Sequence, residues 1–369
     1  MRLSEVRRLC VGALQRAGLE RADAVFTADT LLDKDLQGDH LRGVCDVPRW
    51  VSLFRTGQAD PRPRLRILRE TRNSALIGED PTGFYLSIAR QSMALCIQKA
   101  KGEGIAIVGV RKNLGTLAPL LKIATASRLI ALGTIQGPPS IAPTGGKRPL
   151  VGNNPVGVGI PAGGLDPVIL DMALSQISAT PVFAAAARGQ ELVPGLLLDR
   201  EGRPTTDPRA FARAPEPERR GELSQYLASR PGAFAAGGSL VPVGGYKGYA
   251  LALAFGLLTS ALLVERPSEA ARDGAWYAQH PGSLLIAIDP SLFCPPAEFS
   301  RGVERELLRV IRSPRTDGVR RLFYPGRRSQ ELQAKGREED LVPLPAGTRR
   351  DLERLAKALD IPADLRIVR

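Results

Sequence analysis

Apolar residues recur every three to four positions over residues 3 to 17, where Leu3, Val6, Cys10 and Leu14 share one face. That spacing predicts a helix, with Ser4 placed to cap its start and Gly18 to end it. A second helix is predicted over 23 to 36 and a short one over 49 to 55, stopped by Gly57. Between them the segment GDHLRGVCDVP, residues 38 to 48, is bracketed by Gly and Pro and rich in titratable groups, so it reads as irregular. Residues 58 to 83 read as a polar connection with turns at Asp80-Pro81 and Thr82-Gly83, and a long helix follows over 84 to 101, ended by Gly102.

Short unbroken apolar runs at 105 to 110, 129 to 133 and 284 to 288 have the look of buried strands, and 168 to 170 and 320 to 324 are strand-like. Further helices are predicted over 118 to 127, 180 to 188, 303 to 311 and 348 to 359. The longest uncharged run, 249 to 264, is shorter than the ~20 residues a bilayer span needs, so it reads as a buried helix. Residues 137 to 165, GPPSIAPTGGKRPLVGNNPVGVGIPAGGL, carry so many turn-formers that their backbone is expected to approach something closely. Residues 199 to 245, rich in Arg, Pro and Gly, read as a long surface excursion. There is no internal repeat, no GxGxxG after the first strand, and no Walker loop, HExxH or GxSxG.

Composition narrows the class. With 369 residues, 43% hydrophobic and 24% charged, the chain is an ordinary globular protein of two or three lobes. The net charge of +13 is spread along the chain, with aromatics at 5% and no basic run interleaved with stacking residues. It therefore implies attraction for small anions, and no nucleic acid partner is expected. Cys10, Cys45, Cys96 and Cys294 form no CxxC pair, so neither a disulfide framework nor a zinc knuckle is read, and no metal site is assigned. The charged N-terminus MRLSEVRRLC lacks a signal-peptide core, and a cytoplasmic, membrane-free protein is expected.

Five stretches in order resemble the type-2 malate/L-lactate dehydrogenase family, which includes sulfolactate and ureidoglycolate dehydrogenases. They are DLQGDHLRGVCDVPRWVSLFRTG, PPSIAPTGGKRPLVGNNPVGVGIP, LDMALS at 170 to 175, GRPTTDP at 202 to 208 and VPVGGYKGYALAL at 241 to 253. The resemblance implies an α/β fold of non-Rossmann type, with a large mixed sheet, flanking helices and a helical lobe from both chain ends. It also implies a homodimer and NAD or NADP as cofactor. On this basis residues 1–75 are expected to form the helical part of a substrate lobe, 76–290 a nucleotide-binding α/β domain, and 291–369 a segment packing back on the N-terminal lobe. By matching positions Asp171, Met172 and Ala173 would lie along the dinucleotide, with Gly145, Gly146, Lys247 and Gly248 near it. A lysine after a Gly turn suits a phosphate, since N–H groups and an ammonium converge there, although Lys247 also reads as a solvated lysine at a helix start.

The chain departs from the family where proton transfer is expected. Leu41 and Arg42 stand where the family carries Ser-His before Gly43-Val44, Asp46 stands at a substrate-binding arginine, and Asn113 at a second histidine. Gly152, Asn153, Asn154 and Pro155 match a Gly-Thr-Asn-Pro stretch, Ile135, Gln136 and Gly137 a Thr-Asn-Ser stretch, and Pro181 takes the place of an aspartate. Arginine stays protonated and cannot replace a histidine acid. Only His40 and His280 are available, and neither is at a family histidine position. The candidate catalytic residues are therefore His40, Arg42 and Asn113, and the candidate substrate-binding residues Arg42, Asp46 and Asn153. Arg42 can hold a carboxylate by a forked pair, but Asp39 and Asp46 can equally pair with Arg42 and Arg49. Cys45 reads as a small buried residue. The function expected is NAD(P)-dependent hydride transfer on a small 2-oxo or 2-hydroxy acid or a cyclic imine acid. A non-redox enzyme or a catalytically silent nucleotide-binding protein on the same scaffold are the alternatives.

Overall fold

The structure, a computed structural model, describes residues 1–212, 237–263 and 282–366. The chain opens with helices α1 (Leu3–Arg16), α2 (Arg21–Leu36) and α3 (Val47–Arg55). Strands β1 (Ile67–Glu70) and β2 (Ser74–Ile77), helix α4 (Tyr85–Glu103), β3 (Ile105–Val110), α5 (Ala118–Ala126) and β4 (Ile130–Ile135) follow. Next come β5 (Pro139–Ile141), β6 (Val151–Gly152), β7 (Val156–Ile160), β8 (Val168–Met172), α6 (Ala179–Arg188), β9 (Leu197–Leu198) and β10 (Pro204–Thr205). After them lie β11 (Ser239–Leu240), α7 (Tyr246–Thr259), β12 (Ser283–Ile288), α8 (Pro296–Arg312), α9 (Arg327–Glu338) and α10 (Ala346–Ala358).

A mixed seven-stranded sheet in the order β1-β2-β3-β12-β4-β7-β8 forms the frame. Strand β12 lies at its centre, antiparallel to both neighbours, with Ile286 level with Ile107 on one side and Leu132 on the other. The period-2 alternation of a strand sorts its faces. Ala106, Val108 and Val110 are buried in one cluster with Met93 and Cys96 of α4 and Leu121 of α5, whereas Ile107 stays 41% exposed. Helix α5 packs close on β7 because Gly157 carries no side chain; a Cβ there would come within 2.9 Å of Leu117. A second core joins both ends of the chain: Leu9 and Leu14 of α1, Leu31 of α2 and Phe54 of α3 pack with Leu352 and Leu355 of α10. A third gathers α6 and the small β10-β9-β11 sheet around Phe183, Leu197 and Phe211, with Ala252 of α7.

Several expectations are corrected. Ser4 does not cap α1; it lies inside the first turn, and its N–H and hydroxyl both donate to Asp340, each at 2.7 Å, so the C-terminal segment supplies the cap. The strand expected over 320 to 324 is irregular chain. Just after it, Ile169 N–H of edge strand β8 donates to the Pro325 carbonyl, and a proline has no N–H to extend a ladder. The run expected as a buried helix forms α7, but Leu251, Leu257 and Leu258 are 48%, 47% and 41% exposed in the single chain. Strands β1 and β2 stand in the stretch read as a polar connection, and α9 where no helix was read. Part of the excursion over 199 to 245, the end of the apolar run at Val264, and His280 lie outside the described residues. Among the described residues no helix is long and apolar enough to cross a membrane.

Candidate active site

The irregular segment after α2 is two 3-10 turns, His40–Arg42 and Val44–Asp46. They are organised by Asp35, a fully buried carboxylate near the end of α2. Its Oδ2 accepts the Val44 N–H at 2.8 Å, and its Oδ1 faces His40 Nδ1 at 2.9 Å. Burial pushes the Asp35 carboxyl up to about 6, while the Val44 and His40 hydrogen bonds pull it the other way. Gly43 is required here, since a Cβ would come within 2.2 Å of Asp35 Oδ2. Sequence reasoning missed Asp35, although an acid four residues after Leu31, on the buried face of α2, was a signal.

Arg42 and Asp39 form the expected ion pair at 2.6 Å, with the Arg42 side chain 47% exposed. Asp46 and Arg49 make no such pair. Asp46 Oδ1 is buried without a hydrogen-bond partner, and burial pushes its carboxyl up to about 6 against the pull of the Arg49 charge. The Arg49 guanidinium lies 4.7 Å from the Trp50 ring centroid, and burial lowers its pKa below the usual arginine value. Tyr85 packs on the same ring at 5.6 Å, and burial, with the Asp46 charge beside it, raises its hydroxyl pKa. Cys45 is half-buried, and its thiol donates to the His40 carbonyl at 3.0 Å.

Tyr85 also reaches the turn that carries Asn113. Gly115 has φ +81, and a Cβ there would come within 2.3 Å of the Tyr85 ring. Both polar atoms of the Asn113 side chain build this turn: Nδ2 donates to the Gln136 carbonyl at 2.7 Å and Oδ1 accepts the Gly115 N–H at 2.8 Å. Asp171 closes it from the other side. Its Oδ2 accepts from Thr116 Oγ1 at 3.0 Å, Leu117 N at 3.1 Å and Ala118 N at 2.9 Å, which caps the positive end of α5. The segment carrying Asp46 is thus linked through Tyr85 to the Asn113 turn, and that turn to Asp171.

The remaining candidates lie around β8 and the Gly-Pro loop. The Asn153 carbonyl accepts Leu174 N at 2.8 Å. Asn154, buried beside it, accepts Gly137 N at 3.0 Å and donates to the Ala252 carbonyl at 2.7 Å, tying the loop to α7. Met172 and Ala173 follow Asp171 at the end of β8, and Val243 N donates to the Leu174 carbonyl at 3.0 Å, which draws the start of α7 alongside. There Gly244 and Gly245 have φ +61 and +66 with no atom within 4 Å of where a Cβ would stand. Lys247 is exposed, and Gly248 is buried against the Val243 carbonyl. This open, positively charged helix start fits the phosphate of a dinucleotide. Gly145 and Gly146 lie on the turn between β5 and β6; Gly145 has φ +81 and open space, and the neighbours of Gly146 are Pro143 and Gly202.

Known proteins share the sequence pattern and the fold of the chain. The sequence matches the malate/L-lactate dehydrogenase family over residues 1–353. It is 30% identical to a malate/(S)-sulfolactate dehydrogenase of Methanothermus fervidus over 362 residues, 97% of each chain. The fold superposes on a malate dehydrogenase of Entamoeba histolytica with a TM-score of 0.81, 22% identity and 98% of each chain covered. It superposes on the sulfolactate dehydrogenase of Methanocaldococcus jannaschii with a TM-score of 0.77 and 26% identity, covering 98% of this chain and 97% of that one.

Proposed function

The chain belongs to the malate/L-lactate dehydrogenase family, and we propose that it is an NAD(P)-dependent oxidoreductase acting on a small 2-oxo or 2-hydroxy acid or a cyclic imine acid. The observation that carries this reading is the meeting of the 44 to 50 segment with the Asn113 turn through Tyr85, beside Asp171. Through Tyr85 it links a half-buried guanidinium and a buried carboxyl to the turn that Asp171 caps, which supports the reading. The nicotinamide cofactor supplies or accepts the hydride when bound. Gly244, Gly245 and Lys247 are the groups that would hold its phosphates, and Met172 and Ala173 would lie along it.

The chain's own residues divide the remaining work. Arg49 has no ion pair within 4.0 Å among the described residues, so it is the better anchor for the substrate carboxylate, ahead of Arg42, which Asp39 already neutralises. His40 is the imidazole of this segment and the group proposed to move a proton; its Nδ1 is fixed by Asp35, which leaves Nε2 as the working atom. Asn113 shapes the turn and transfers no proton. A substrate that arrives protonated, such as an iminium acid, makes the smallest demand on such a site. The helical unit built from both chain ends carries the substrate segment, and the sheet unit carries the nucleotide loops. The exposed face of α7 is read as the contact of a homodimer, and four cysteines without disulfides fit the cytoplasm.

The test is titration with NADH and NADPH by fluorescence, followed by absorbance at the nicotinamide band with 2-oxo acids and cyclic imine acids. Binding of at least one nucleotide and oxidation with one acid class are expected. No binding of either nucleotide overturns the reading.

A further inference from the structure

A cavity of about 290 Å³ opens between α2, α5 and α9 against edge strand β8. Its size is at the small end of ligand pockets, which run from roughly 300 Å³ upward. Four charged residues line it: Asp33, Lys34, Lys122 and Asp171. Three are already matched. Asp171 accepts its three hydrogen bonds at the start of α5. Lys122 Nζ donates to Asp33 at 2.8 Å and to Gln333 at 2.6 Å, and Asp33 also pairs with Arg337.

Lys34 is different. Its ammonium has no carboxylate within 4.0 Å among the described residues and donates no hydrogen bond there. Burial lowers its pKa, the like charge of Arg42 acts in the same direction, and Asp171, Asp39 and Asp33 oppose this only from a distance. A half-buried ammonium with no protein partner offers an anion an unopposed charge, and an anion seated on it counters the lowering of its pKa. Thr30 and Gln37 line the same space with a hydroxyl and an amide, and Leu170 and Pro119 add apolar wall. The combination suits a short molecule with one anionic end.

We propose that this cavity is a binding site for a small carboxylate, whose anionic group sits on Lys34 Nζ. Asp171 lies in the cavity wall and also beside the place given to the dinucleotide, so the two sites adjoin, but binding here needs no nucleotide and no redox chemistry.

Malonate is the probe, titrated by calorimetry into the full-length chain without nucleotide at low ionic strength. Saturable binding at millimolar concentration or tighter is expected. Lys34→Met and Lys34→Gln should each weaken it at least tenfold, while Lys34→Arg should keep most of it. Thermal unfolding of each variant reports whether the fold is intact, and two charge-removing variants guard against one that is not. A parallel NADH titration reports on the oxidoreductase reading alone. No saturable malonate binding by the parent, or equal affinity in a folded charge-removing variant, overturns the proposal.

Discussion

Asp35 holds His40 Nδ1 at 2.9 Å from a position with no solvent exposure, while its second oxygen is tied to the Val44 N–H. A carboxylate that fixes one ring nitrogen leaves the other in a defined role. His40→Ala should therefore lower turnover by about 10²- to 10⁴-fold, the usual loss of a positioned acid or base, and change the pH profile. Asp35→Asn should retain the Val44 bond yet lower turnover and move the pH profile without a matching change in KM. Steady-state kinetics across pH with the acid identified above are the measurement. Unchanged profiles in both variants would show that His40 is a loop residue.

Two carboxyls should make stability depend on pH. Burial pushes Asp46 from its ordinary 3.8 up to about 6, and Asp35 likewise. Because the folded pKa lies above the unfolded one, the native state binds more protons between the two. Stability is then greatest below about pH 4 as far as these groups are concerned, and falls as pH rises toward 6. For Asp46 the loss is on the order of 2–3 kcal/mol. Asp46→Asn should be more stable than the parent at pH 7 and flatter between pH 4 and 6, by urea unfolding at each pH. A parent and variant with parallel pH curves would refute the assignment.

Gly43 has an ordinary φ of −95°, so its requirement is one of space. A Cβ would meet Asp35 Oδ2 at 2.2 Å, and the Val44 bond prevents that carboxylate from yielding. Gly43→Ala should cost about 1–3 kcal/mol in unfolding free energy, the usual range for overpacking. Gly57→Ala is a useful comparison, because φ +70 with nothing within 4 Å makes its cost one of backbone strain alone.

What was legible in the sequence follows from how locally each feature is encoded. Strands β3, β4 and β12 are continuous apolar runs, because both faces of the central sheet are largely covered, and such runs stand out. Strand β1 is exposed at all four positions, and α9 buries only Gln333 and Gly336, so neither carries an apolar period to read. The segments at 40 to 46, 113 and 171 stand out in the sequence through their resemblance to a family, whereas the local bonds they make do not. Asp171 serves as a helix cap, and the Asn113 amide is consumed by its own turn. The approach of Tyr85 to Gly115 joins residues thirty apart, and the pairing of Asp35 with His40 needs the chain to fold back after α2; neither contact has a sequence signature.

The exposed face of α7 carries the last prediction. From Gly248 to Thr259 the helix holds no charged residue, yet Leu251 and Leu258, seven apart and on one stripe, are each more than 40% exposed, and Leu262 just beyond it is 63% exposed. Contiguous apolar surface of this kind marks an interaction site more often than a free face. The opposite face is committed to its own chain through Ala252, Gly256 and Thr259, which are buried against the Gly-Pro loop and the central sheet. A second copy of the same helix is the simplest apolar partner, since a two-fold axis sets the same stripe against itself. A stable dimer needs about 800 Å² from each chain, more than one helix stripe offers, so neighbouring loops must join the contact. Light scattering at micromolar concentration should give about twice the 39.6 kDa chain mass. Leu251→Asp with Leu258→Asp should shift the mass to one chain, because two carboxylates on each side would face each other in an apolar contact. The start of α7 also carries Lys247, so loss of the contact should weaken nucleotide binding. A parent that scatters as a single chain, or a double variant that remains a dimer, would show that α7 is not the assembly surface.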